Sequence, residues 1–502
     1  MQSKPPSSYR SGSSLPVQNA TGRRDINDQR KHQPSKRVPN SADESASLVP
    51  SFAVGPPTTS ASVETRGAIE LGINHLPNSQ NITLETFKEL NKENKDQLVK
   101  IWTTQFMESK QLPTTKHGLL SIDLNSLNTQ DYNVFFKMLK ANNNIVHLQL
   151  YNCQNLNNLE ALQLLTNLQS LYLTGCQKIN DLEPLKFLKN LQLLNLQGCQ
   201  KLTNLEPLKF LKNLQSLTLQ GCQKLTDLET LQPLTNLQSL YLTGCQKLTN
   251  LEPLKFLKNL QLLTLNGCQK LNDLEALQPL TNLQSLYLTG CQKINDLKAL
   301  KCLKKLQSLT VQGCQKLTNL EPLKSLRKLQ SLTLQGCQNL TNLEPLTSLT
   351  NLQSLYLQGC QKLTDLEALK FLTNLQLLTL TGCQKLTFPQ INLPKLKTLK
   401  LSDSIINNLN QVDIKKQFPN LEELKLAAQF NIFIPKSLIL MIIDHENIKS
   451  LTLNNPFKTN QLLTQFLVRF ALKLKQDPEL SNRPLFNKFK TIIKNLKLPK
   501  ND

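Results

Sequence analysis

The chain of 502 residues carries 58 Lys and Arg against 36 Asp and Glu, a net charge of +22, together with twelve cysteines. This balance excludes an acidic, solvating protein and favours anionic partners only where the charge is concentrated. The surplus is +3 in residues 1–80, +1 in 81–144, +11 in 145–456 and +7 in 457–502, so the tail is the densest basic stretch.

Residues 1–70 are rich in Ser, Pro, Gln, Asn and Arg and poor in large apolar side chains, so they are expected to be a disordered tail. Its opening, MQSKPPSSYRSGSSLP, has no apolar core segment and predicts no cleaved signal peptide. Ser/Pro-rich starts of this kind resemble type III secretion leaders of bacterial effectors, but suit an ordinary flexible tail better. Residues 71–118 form a helical segment by pattern, with Leu84, Phe87 and Leu90, then Leu98, Ile101, Trp102 and Phe106 on amphipathic faces. Leu76-Pro77 resembles the start of an F-box, but Asn78, Ser79 and Gln80 depart from that pattern. Residues 119–144 read as a longer capping repeat, a strand from Leu119 to Leu124 followed by a short helix over Asp131 to Lys140.

Cysteines then stand at 153, 176, 199, 222, 245, 268, 291, 314, 337, 360 and 383, eleven copies of a 23-residue unit without insertion or deletion. Counted from its cysteine, each unit has leucine or a close substitute at −8, −5, −3, +3, +6, +9 and +12, as in Leu168, Leu171, Leu173, Ile179, Leu182, Leu185 and Leu188. The alternation at −5 and −3 predicts a short strand with two inward side chains and −6, −4 and −2 outward. The spacing of three that follows suits 3₁₀ or extended steps better than an α-helix. One unit cannot bury its leucines, whereas stacked units form a continuous core under a parallel sheet.

The stretch LQSLYLTGCQKI, Leu168 to Ile179, resembles the LxxLxLxx(N/C)xxL pattern of the leucine-rich repeat family, and the likeness covers residues 145–390. DLEPLKFLKNL, Asp181 to Leu191, is similar to the internalin-type convex half, although the C-x-x-L step is one residue longer; Gly-Cys at this turn also resembles plant immune-receptor repeats. The resemblance implies an α/β fold class, a leucine-rich-repeat solenoid with a curved parallel sheet on its concave face, 3₁₀ or extended turns on its convex face and helical caps. Eleven strands about 4.8 Å apart would extend for roughly 50 Å.

After the eleven repeats of 145–395, residues 396–456 contain three degenerate repeats, marked by Leu396, Leu399 and Leu401, then Leu421, Leu424 and Leu426, then Ile448, Leu451 and Leu453. Residues 457–502 form a basic helical cap, two amphipathic helices separated by Asp477-Pro478.

The cysteines fall singly in one column, which fits reduced, packed thiols rather than a disulfide framework, and no C-x-x-C pair suggests zinc. Cys302 falls out of register at +11, where Phe187, Phe210, Phe256 and Phe371 stand in other copies, and is expected to be packed. A glutamate column at +7 (Glu183, Glu206 and others), interrupted by Lys298, is expected to be relieved by lysine columns at +2 and +10. No nucleophile–base pair, phosphate loop or metal-ligand cluster is present in the sequence, so neither catalysis nor a cofactor is expected.

The outward −4 positions are the candidate partner-binding residues: Tyr172, Asn195, Thr218, Tyr241, Thr264, Tyr287, Thr310, Thr333, Tyr356 and Thr379. In the array this face has no Lys or Arg, which argues against phosphate-backbone binding there, and its tyrosines suit protein recognition. The sequence thus predicts a monomeric, non-enzymatic protein-binding scaffold, cytoplasmic or delivered into a host cell as a bacterial effector, and not transmembrane, since its longest apolar run is Leu438 to Ile443. The alternatives are an F-box-like ubiquitin-ligase adaptor, and a nucleic-acid or anionic-membrane binder working through the basic C-terminal helices.

Overall fold

A computed structural model describes residues 119–123, 145–387, 390–402, 405, 413–427, 445, 447–448 and 450–454. The expected tail of 1–70, the helical segment of 71–118, the helix of 131–140 and the basic cap of 457–502 lie outside the described residues. So does the segment tested as an F-box.

Fifteen strands form one wholly parallel sheet in strict chain order. The sheet opens with β1 (Leu119–Asp123) and β2 (His147–Tyr151), continues through three-residue strands from β3 (Ser170–Tyr172) to β12 (Leu377–Thr379), and ends with β13 (Thr398–Ser402), β14 (Glu423–Ala427) and β15 (Ser450–Asn454). The first strand and the three decayed coils therefore fall where the leucine pattern predicts them. The register advances by one 23-residue coil per strand through the array, with Tyr172 beside Asn195 and Asn195 beside Thr218.

In the array, Leu171 and Leu173 point into the core at 0% exposure, while Ser170, Tyr172 and Thr174 on the same strand do not. The same division recurs in the other copies, and the leucines at +3, +6, +9 and +12 join the same core. Ten 3₁₀ turns, from Glu160–Leu164 to Glu367–Phe371, carry the chain back along the far side. A period of three residues per turn lets +6, +9 and +12 eclipse one another and all reach the core. One short α-helix, α1 (Ile414–Gln417), replaces a 3₁₀ turn in a decayed coil; the Asp413 side chain accepts the Lys416 N–H at its start.

Three local devices recur along the array. The Asp or Asn at +5 accepts the backbone N–H of the residue two positions later, as Asp181 does from Glu183 at 2.8 Å, and this starts all ten 3₁₀ turns. The Asn at −9 donates to a carbonyl of the preceding coil, for example Asn259 to Thr235 at 3.0 Å, and the ladder continues in the decayed coils through Asn420 and Asn447. The glycine before each cysteine takes φ near +75°, a conformation that L side chains rarely adopt. At the first such turn Asn152 adopts φ 50° instead, which Asn tolerates best among non-glycine residues.

Each array cysteine from Cys176 onward donates its thiol to the carbonyl of the −3 residue in the preceding coil, from 3.9 Å at Cys176 to 3.1 Å at Cys383. Burial pushes the thiols of Cys199, Cys222, Cys245 and Cys268 up to about 12. All twelve cysteines are free thiols, and the eleven of the column are buried. Cys302 corrects the expectation of a packed side chain: it is exposed. The +11 position points away from the core, so Phe187, Phe210, Phe256 and Phe371 are also 41–50% exposed.

Candidate functional site

The strand face opposite the core is built by side chains at −6, −4 and −2, because alternation along a strand sends them all to one side. The −4 positions form one unbroken row by register: Gln149, Tyr172, Asn195, Thr218, Tyr241, Thr264, Tyr287, Thr310, Thr333, Tyr356 and Thr379. The row continues past the array into Lys400 and Lys425, which the irregular spacing of the decayed coils conceals in the sequence. Lys425 lies 3.1 Å from the Glu423 carboxylate two residues earlier on the same strand. The face is thus uncharged along the array and charged at its C-terminal end.

The ten candidate residues do not contribute equally. Tyr172, Asn195, Tyr287, Thr310, Thr333 and Tyr356 are partly exposed, whereas Tyr241 is 9% exposed and Thr218, Thr264 and Thr379 are buried. Thr218 and Thr264 flank Tyr241, and Thr379 sits between Tyr356 and Lys400; beside larger neighbours a threonine has little surface left for a partner. Thr264 makes one cross-strand contact, accepting from or donating to the Thr243 hydroxyl at 3.2 Å. These three threonines therefore flank the tyrosines and add little to the exposed surface.

Burial raises the phenols of Tyr172, Tyr241 and Tyr356 above their ordinary value, and hydrogen bonds with Ser239 and Ser354 partly offset this at Tyr241 and Tyr356. Tyr151, at −2 of the first coil, is raised by burial and by the neighbouring Tyr172, which adds a further aromatic residue to the face. Leu193, Leu262 and Leu377 replace Ser at −6 and are partly exposed there, giving apolar contact beside Asn195, Thr264 and Thr379.

On the far side, the +7 glutamates pair with the +10 lysines three residues later: Glu183 with Lys186 at 2.6 Å, Glu252 with Lys255 at 2.7 Å, Glu321 with Lys324 at 2.9 Å, and Glu206 with Lys209. The lysines at +2 do not share in this. They are exposed, and among the described residues none makes an ion pair with the glutamate column, because they lie at the turn leaving the strand. Several +10 lysines also lie over the exposed rings, Lys255 at 5.4 Å from the centre of Phe256.

No group of His, Cys, Asp and Glu that could hold a metal occurs among the described residues. No helix among them is long and apolar enough to cross a membrane.

The model of the BspA type leucine rich repeat region matches residues 143–272 and 258–387, in six copies. Among solved structures, an internalin of Listeria monocytogenes is 24% identical over 66% of this chain and 97% of its own, with a TM-score of 0.50, a likeness of fold. Internalin C2 of the same organism is 32% identical over 39% of this chain and 83% of its own, with a TM-score of 0.35. The functional domain of its InlJ, described as including a cysteine ladder, is 20% identical over 63% of this chain and 69% of its own, with a TM-score of 0.43. No curated protein matches the chain.

Proposed function

Because residues 143–387 place this chain in the leucine-rich repeat family, we propose that it is a non-enzymatic scaffold that captures a partner protein on the strand face of its solenoid. The observation that carries this reading is the strand face, uncharged along the array, in which Tyr172, Tyr287 and Tyr356 remain partly exposed among Ser, Thr, Asn and Gln. Tyrosine supplies rigid amphipathic area at little entropic cost, and neighbouring amides and hydroxyls adapt to a partner's polar groups. A face of this length, roughly 50 Å at about 4.8 Å per strand, accommodates a standard interface.

In this reading partner binding is assigned to the eleven repeats of 145–395. Eleven buried free thiols suit a reducing compartment, either the cytoplasm or a host cell entered as an effector. In this reading the protein acts as a monomer.

The test replaces Tyr172, Tyr287 and Tyr356 by Thr, the residue that other copies carry at the same position. Thermal unfolding is expected to be little changed, while a partner captured by the full chain is lost. Undiminished capture by the folded variant overturns the assignment of this face.

A further inference from the structure

We infer that the two coils of Cys291 and Cys314 carry a second binding surface, a basic ridge for the phosphodiester backbone of a single-stranded nucleic acid. In the coils of Cys176, Cys199, Cys245, Cys314 and Cys360 the outward ridge carries Glu at +7 and Lys at +10, and the two pair; the other coils with Glu at +7 carry Gln or Thr at +10. In the coil of Cys291 the glutamate is replaced by Lys298, so Lys301 has no partner carboxylate among the described residues, and Lys304 follows. The 3₁₀ turn Lys298–Cys302 stacks residues three apart, which sets Lys298 and Lys301 about 6 Å apart along one side of the turn, and Lys304 lies just beyond its end.

The asparagine ladder is interrupted in the same two coils and nowhere else from Asn190 to Asn374. Lys305 and Lys328 stand where Asn282 and Asn351 bond their preceding coils, and Arg327 precedes Lys328. Lys298, Lys301, Lys304, Lys305, Arg327 and Lys328 are all exposed. Two contacts hold part of the ridge in place: Lys298 lies 3.1 Å from Asp296, and Lys305 donates to Asn282 at 2.7 Å.

The chemistry of the ridge selects its ligand. Binding a membrane surface needs apolar side chains to enter the lipid boundary, yet the exposed Phe of other coils gives way here to Cys302 and Ser325. A peptide needs apolar or hydrogen-bonding pockets for its side chains, and the ridge offers rows of point charge instead. Closely spaced cations without such pockets match a flexible polymer whose charge lies in its backbone, where neutralisation and counterion release drive sequence-independent binding. A single strand can bend to follow lysines set along one coil and continued on the next.

The experiment measures binding of labelled oligothymidylate to the full chain by fluorescence anisotropy over a range of salt concentrations. The ridge variant combines Lys298→Glu, Lys304→Thr, Lys305→Asn, Arg327→Thr and Lys328→Asn, each the residue a neighbouring coil carries at that position, so the fold is expected to persist. A control variant removes the same net charge elsewhere, changing Lys178, Lys201, Lys224, Lys247, Lys362 and Lys385 to Gln. The ridge variant is expected to bind about tenfold more weakly or worse, with the slope of log K against log salt reduced by about 3 to 4, while the control keeps the slope of the parent. Equal loss in both variants, or no loss in the ridge variant, overturns the site. Displacement of the oligonucleotide by equimolar polyglutamate, charge for charge, overturns the choice of nucleic acid over an acidic protein segment.

Discussion

Raising the pH from 8 to 10 is expected to unfold the array through its cysteine column. In the unfolded chain each thiol has its ordinary value of 9.0, whereas burial holds Cys222, Cys245 and Cys268 at about 12 in the folded state. The folded value is raised, so the stabilisation is fully present below pH 9 and is lost as the pH rises from 9 toward 12. Between pH 8 and 10 the unfolded chain ionises while the folded column stays protonated, which favours unfolding by about 1.4 kcal/mol per thiol. The ten raised thiols, Cys176 to Cys383, amount together to about 14 kcal/mol, comparable to the whole stability of a typical domain. Lysines and tyrosines titrate in the same range, so the decisive comparison is with the triple variant Cys222→Ala, Cys245→Ala, Cys268→Ala. Urea unfolding followed by circular dichroism in a reducing buffer should show the pH-dependent loss smaller in the variant by about 4 kcal/mol, although the variant starts less stable at pH 8 because of the small cavities left behind. An identical loss in both proteins would refute the coupling between the column and the fold.

Two further outcomes follow from burial and backbone geometry. Under native conditions a maleimide should modify one thiol in twelve, and peptide mapping should identify it as Cys302; labelling of the column before unfolding would contradict its packing. Replacing Gly267 by Ala should destabilise the array by about 1–2 kcal/mol, because its φ of 73° is strained for an L side chain and its added Cβ would lie 3.7 Å from Gly244. Space is sufficient there, so a thermal midpoint equal to or above that of the parent would show that the left-handed turn is not required.

The solenoid was legible because leucine recurs at fixed offsets and one unit has no other way to bury it. Even the decayed coils ending in β13, β14 and β15 kept the strand doublets of Leu399 and Leu401, Leu424 and Leu426, and Leu451 and Leu453. Facing direction was also legible along a strand, since alternation there is strict. It was less so on the far side, where a period of three leaves the side of the chain undecided: Cys302 reads as packed beside a leucine ridge and is exposed. Pairing depended on a distinction that offsets alone do not make. The +2 and +10 lysines have equal claims on a glutamate column until the turn places only the second within reach. The asparagine ladder and the +5 caps were visible as repeated letters, but their role rests on carbonyls and N–H groups of particular coils. Exposure along the candidate face depended on neighbours as well as direction, which is why Thr218 and Thr379 are covered while Thr310 is not.

A nearly uniform array raises the question of how a partner finds one register. Sliding a bound protein by one coil, about 4.8 Å, would meet almost the same Ser, Gln and Leu positions and lose little energy. The tyrosines break this degeneracy. They stand at 172, 241, 287 and 356, separated by three, two and three coils, so a shift of one coil in either direction places every tyrosine contact on Gln, Asn or Thr. A shift of three coils is the most permissive error, because it carries Tyr172 onto Tyr241 and Tyr287 onto Tyr356. It also carries Tyr241 onto Thr310 and Tyr356 onto Lys425, two strands beyond the Thr379 row. The cations at that end therefore penalise this three-coil displacement toward the C-terminal strands. On the proposed reading, specificity on this face would come from where the repeat departs from itself, the same property that makes the ridge of Lys298 to Lys328 stand out on the opposite side of the coil.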